Sequence, residues 1–141
     1  MKREVIFRGW SPTAEQWVYG TGFHLSPGGE ASILGGAGIL IAVTAATIGE
    51  WTGETNDEVG FRRIFEGDFL AVRHGRNAKT LEGPFFVRFE GHGFEMRDFC
   101  GDVFPLATWN AVVIGNEFEN SDLHHIETKF RTLEEFRRLA E

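Results

Sequence analysis

The chain has 141 residues, a length typical of one domain and enough to bury a core without disulfide or metal staples. With 42% hydrophobic and 25% charged residues it has the composition of an ordinary globular protein, which excludes wholesale disorder. Its net charge of -7 argues against a duplex-DNA binder, which would present a basic stripe to the phosphates.

Phenylalanine and glycine are both abundant, at 14 and 18 residues, a pairing that suits pleated strands between tight turns better than a helical bundle. The single cysteine, Cys100, has no partner for an internal disulfide, and no Cys/His cluster has zinc-ligand spacing. A reducing, cytoplasmic setting without metal or cofactor is therefore expected. The first residues hold only a short apolar core, Val5-Ile6-Phe7, instead of the long apolar region of a signal peptide. The most apolar stretch, Ala37 to Ile48, falls well short of the ~20 residues that span a bilayer, so no membrane insertion is expected.

In chain order, Val5-Ile6-Phe7-Arg8 begins a strand and Trp17-Val18-Tyr19-Gly20 a second, separated by the Ser11-Pro12-Thr13 turn. Ser26-Pro27-Gly28-Gly29 is a loop, and Gly35-Gly36-Ala37-Gly38 resembles a flexible strand edge; it lacks the lysine and Ser/Thr of a phosphate-binding loop. The apolar run Ile39 to Val43 is too short for a helix and predicts a buried strand. Ile48 to Gly53 enters a polar turn at Thr55-Asn56-Asp57-Glu58 and Phe61 to Phe65 returns, which predicts a hairpin. Strands are expected at Phe69–Val72, 84–90, 93–99 and 111–115. Such strand density points to a mainly β fold, a small antiparallel barrel or sandwich over 1–141. The exception is the end, where Thr132-Leu133-Glu134-Glu135 has the form of a capping box and predicts a short helix over about 132–140. Leu133, Phe136 and Ala140 share one face of it, and so short a helix has to dock on something to persist.

Charge is unevenly placed. Residues 50–68 carry six acids against two bases and residues 90–122 seven against one, while 69–89 between them are basic, with Arg73, Arg76, Lys79 and Arg88 against Glu82. Two carboxylate pairs, Glu66 with Asp68 and Glu117 with Glu119, have the i, i+2 spacing that could share one strand face and divide acid and base work. Each adjoins a turn residue, Gly67 or Asn116 and Asn120, where acids serve backbone capping, and that is the weightier reading. The His124-His125 pair beside Asp122 is expected in a solvated loop, since neighbours on an extended chain point apart. His24, His74 and His92 stand beside glycines without a nucleophile. Cys100 has no flanking base or helix start to activate it and is expected to pack as a small hydrophobe. Phe85, Phe86 and Phe89 beside the basic segment could stack on single-stranded nucleic acid, with core packing the plainer alternative. No catalytic, cofactor-binding or metal residue is assigned.

Three blocks resemble one family. Met1-Lys2-Arg3-Glu4-Val5-Ile6-Phe7-Arg8-Gly9 with Trp17-Val18-Tyr19-Gly20 looks like the opening of the YopX proteins of phages and prophages. Thr47-Ile48-Gly49-Glu50-Trp51-Thr52-Gly53 followed by Ile64-Phe65-Glu66-Gly67-Asp68 resembles its "G-x-[FYW]-T-G … I-[FY]-E-G-D" signature. Val113-Ile114-Gly115-Asn116-Glu117-Phe118-Glu119-Asn120 with Leu123 is similar to its "V-I-G-N-x-x-x-N-x-x-L" end. Phe69 and the Gly/Ala-rich stretch 28–46 depart from the pattern. The resemblance implies a β-rich homo-oligomer of phage or prophage origin and carries over no catalytic residues. The expected function is a non-enzymatic, self-associating accessory protein in the bacterial host cytoplasm. A nucleic-acid-binding small β-barrel is the alternative, resting on Gly67 to Val72 as a barrel strand opening and on the four bases, and disfavoured by net acidity.

Overall fold

Short apolar runs closed by glycine, proline or asparagine give the chain many places to pair strands and few in which a helix could grow. The structure, a computed structural model, describes residues 4–55, 62–75, 78–91, 93–106 and 110–141. It is mainly β, with antiparallel sheets, one of them a half-barrel, and among the described residues a single short α-helix near the carboxyl end. The chain packs as two compact units, residues 1–53 and 54–141. The polar turn expected at Thr55–Glu58 falls mostly outside the described residues, as do Arg76 and His92.

In the first unit, β1 (Phe7–Ser11) and β2 (Gln16–Gly20) form a hairpin in register from Phe7↔Gly20 to Ser11↔Gln16. The Ser11 hydroxyl accepts the Ala14 N–H at 3.2 Å and closes the turn. Across the hairpin Trp10 and Trp17 meet edge to face at 5.7 Å, and the Arg8 guanidinium lies 4.5 Å from the centre of the Trp17 ring. β3 (Gly22–Leu25), β4 (Ala31–Leu34) and β5 (Leu40–Val43) follow as a three-stranded antiparallel sheet in that order. Its inner face buries Ala31, Ile33 and Val43 with Val18, and Phe7, Ile41 and Ile48 pack at the margin.

The run Ile39–Val43, expected to be a buried strand, forms β5 from Leu40 onward but lies at a sheet edge. Ile39 is 61% and Leu40 56% exposed. A strand with one covered face hides only alternate residues, here Val43 and part of Ile41. The segment Gly35–Gly38, expected as a flexible strand edge, is instead a 3-10 turn over Gly36–Gly38 that joins β4 to β5. After β5, Thr44 N–H donates to Trp10 O at 2.8 Å, and the buried Thr47 hydroxyl accepts Trp10 N–H at 2.8 Å while donating to Thr44 O at 2.6 Å. Those bonds fix the start of β6 (Gly49–Thr55), whose first residues pair with β1 at Phe7↔Glu50.

The second unit begins with β7 (Arg63–Phe65) and β8 (Asp68–Arg73). Beyond these come β9 (Leu81–Glu90), β10 (Gly93–Arg97), β11 (Val103–Pro105), β12 (Ala111–Asn116), β13 (Lys129–Arg131) and the helix α1 (Leu133–Leu139). The sheet runs β11-β10-β9-β8-β12 with antiparallel neighbours, and β13 pairs with the first residues of β9. One face carries Leu70, Val72, Phe85, Val87, Met96 and Val113. The other carries Phe69, Ala71, Leu81, Val112 and Ile114 and is closed by Leu123 and Phe136. Because both faces of β8 are covered, Phe69-Leu70-Ala71-Val72 is apolar without alternation.

The helix forms as its sequence predicts. Thr132 is the N-cap, its side chain accepting Glu135 N–H at 3.2 Å while the Glu135 carboxylate accepts Thr132 N–H at 3.1 Å. Phe136 is wholly buried in the core of its own unit, with Leu133 and Ala140 against it. Seven residues could not hold a helix alone in water, and this burial supplies what propensity lacks.

Candidate functional site

The turn Phe65-Glu66-Gly67-Asp68 is built by backbone hydrogen bonds. Gly67 has φ +92°, a conformation that L side chains resist. Its N–H donates to Val87 O at 2.9 Å, and its carbonyl accepts Glu117 N–H at 2.8 Å. Asp68 is completely buried and turns its carboxylate back to accept Phe65 N–H at 2.9 Å. Glu66 reaches away to Phe89 N–H at 3.3 Å. The two carboxylates, which spacing allowed to share a strand face, thus serve different elements. A turn residue between them rotates the chain, and the i, i+2 rule holds only along a strand.

The second pair behaves in the same way. Glu119 and Asn116 exchange two bonds: Asn116 Oδ1 accepts Glu119 N–H at 2.9 Å and Asn116 Nδ2 donates to Glu119 Oε1 at 3.2 Å. Asn120 Oδ1 accepts Asn116 N–H at 3.0 Å, and its Nδ2 donates to Ala140 O at 2.6 Å, closing the end of α1. A Cβ on Gly115 would lie 2.6 Å from Asn120 Oδ1, so only glycine lets that side chain seat. Leu123 enters the core at 2% exposure. The segment Gly115-Asn116 to Leu123 is therefore a bracket that ties a strand, a 3-10 turn and the final helix together.

The isolated candidates do not converge. His124 lies in the 3-10 turn Ser121–His125 and is exposed, as expected; its ring also meets Phe69 at 4.9 Å and Phe86 at 4.6 Å, with Glu117 Oε1 3.2 Å away. His125 is exposed. His74 contacts Glu82 at 3.0 Å and Phe130 at 5.5 Å, and His24 is exposed on β3. Cys100, expected to pack as a small hydrophobe, is exposed in the tight turn between Asp98 and Asp102, where Asp98 O accepts Gly101 N–H. Among the described residues no group of three or more His, Cys, Asp or Glu could hold a metal ion.

The stacking platform is also divided. Phe85 and Phe86 point to opposite faces of β9, Phe85 buried among Leu70, Val72 and Met96 and Phe86 against Phe69. Phe89 is 46% exposed and meets Phe94 at 5.2 Å. Arg88 is ion-paired with Glu90 at 3.0 Å, and Arg97 bridges Glu90 and Glu95 at 3.0 and 3.1 Å. A shallow groove of about 570 Å³ runs over Phe94, Val103, Phe104 and Pro105, with those two acids on its rim.

The most distinctive surface is one that motif reading passes over. Between Gln16 and Gly49 the sequence has no lysine or arginine and a single acid, Glu30, in a chain otherwise rich in charge. That interval forms β2 to β5, and it exposes Phe23, Leu25, Leu34, Ile39 and Leu40 to solvent. The signal was available as a charge gap. Glycine and alanine disguise it, since they dilute the hydrophobic periodicity by which strands are usually found. Fold and site together define a mainly β protein with an uncharged apolar sheet surface in one unit and a bracketed helix in the other. No family model and no curated protein matches the sequence. No helix among the described residues is long and apolar enough to cross a membrane.

Proposed function

We propose that this chain is a non-enzymatic, self-associating accessory protein of phage or prophage origin that acts in the bacterial cytoplasm. The observation that carries the self-association is the uncharged, solvent-exposed surface of β3 to β5 in a protein of net charge -7. Like-charged copies repel over most of their surface, and an apolar region free of charge is where they can meet. The carboxylates singled out by spacing are engaged in turns and local hydrogen bonds, which supports a structural use for them. Phage or prophage origin rests on the YopX-like blocks, and two of these, around Glu66-Gly67-Asp68 and around Gly115-Asn116, lie at structural brackets. Light scattering on a sizing column tests the reading. A mass that is a multiple of the 15.9 kDa chain supports it, and 15.9 kDa at every concentration removes it.

A further inference from the structure

The sheet β3-β4-β5 ends at β3, so one side of that strand faces no other strand among the described residues. Which of its backbone groups point outward follows from alternation. Ser26 N–H donates to Glu30 O at 2.8 Å, just beyond the Leu25↔Ala31 pair, so Ser26 and His24 turn their backbone groups toward β4. Phe23 and Leu25 then present their N–H and C=O groups to the open edge. Their side chains are 44% and 54% exposed and lie on the face that buries Ala31 and Ile33. Exposed edges are usually blunted by lysine, proline or a bulge, and Gly22-Phe23-His24-Leu25 has none of these.

We propose that β3 is a self-pairing edge, to which a second copy of this chain adds its own β3 antiparallel about a two-fold axis at His24. This inference rests on the self-association reading and names its surface. Three physical features select this occupant and this register. The acidic chain meets its own copy most easily where charge is missing, and antiparallel pairing sends the two Glu30 residues to opposite ends of the joint. Nucleic acid would require bases that residues 16–49 do not contain. Centring the axis on His24 pairs Phe23 with Leu25 of the copy twice over, so every outward N–H of the two residues finds a carbonyl. Centring on Leu25 would set Phe23 against Pro27, which has no N–H. Centring on Phe23 would set Leu25 against Thr21, whose N–H is already donated to Leu34 O at 3.2 Å. Only the His24 register completes the ladder, and it extends the Ile33 core across both copies through Phe23 and Leu25.

The register fixes a distance that can be tested. His24 and its copy form a non-hydrogen-bonded pair, with Cα atoms about 4.5 Å apart, within the span of a disulfide. In a Cys100→Ser background, His24→Cys protein should form an interchain disulfide on mild oxidation, while Ala42→Cys, exposed on the same face two strands away, should not. Leu25→Pro removes an outward N–H, which an edge strand tolerates, and should convert the dimer to monomer with unchanged circular dichroism. A wild-type monomer would overturn both this inference and the reading beneath it. A wild-type oligomer in which His24→Cys fails to cross-link, or cross-links no better than Ala42→Cys, would overturn the edge and leave self-association standing. Should Leu25→Pro misfold, the cross-link decides alone.

Discussion

At the scale of single residues, the positions that spacing offers as chemistry turn out to hold the backbone. Gly67 takes a positive φ between two hydrogen bonds, to Val87 and from Glu117, so it fixes the approach of β8 to both neighbouring segments. Gly67→Val should cost about 1–3 kcal/mol, because a β-branched residue resists that conformation. A thermal melt reads this directly, and an unchanged melting temperature would show that the turn relaxes without strain. Asp68 shows why the paired-carboxylate pattern misleads. Its spacing from Glu66 was legible, but its complete burial beneath Phe65 depends on a turn whose geometry the spacing rule ignores.

Among elements, α1 is the part most fully legible from sequence, since a capping box and an apolar stripe are local signals that need no partner to be recognised. Its docking is tertiary. Phe136→Ala should destabilise the protein by about 3–5 kcal/mol, the usual cost of emptying a buried aromatic site, measured by denaturant unfolding. The cap also carries a pH signature. The backbone N–H and hydroxyl of Thr132 hold the Glu135 carboxyl below its ordinary value, with Arg131 and Arg138 adding to the effect. A depressed carboxyl contributes its stability above the unfolded pKa and loses it as pH falls through the folded one. Protection of the Glu135 amide, its exchange rate taken relative to that of an unstructured chain at the same pH, should therefore fall as the solution is acidified below the ordinary carboxylate range, and Glu135→Gln should abolish that dependence. The strands were less legible. β9 and β12 announce themselves by aromatic and β-branched runs, whereas β3, β4, β11 and β13 were missed. They are three or four residues long, and in β3, β4 and β11 glycine or proline within or beside the strand reads as loop. The exposed edge was missed with them, since it is β3.

For the whole molecule, charge placement matters more than charge total. Arg88 and Arg97 are taken up by Glu90 and Glu95, and the phenylalanines of β9 are shared between two faces. A gel shift with single-stranded DNA or RNA at low salt is accordingly expected to show no retardation, and a salt-sensitive shift would revive the nucleic-acid reading. The proposed self-association draws on the charge gap between Gln16 and Gly49 together with the open edge of β3. Light scattering of wild-type and Leu25→Pro proteins side by side tests it most directly. Wild-type mass should rise toward at least twice 15.9 kDa with concentration while Leu25→Pro stays at 15.9 kDa, and a wild-type mass of 15.9 kDa throughout would contradict it.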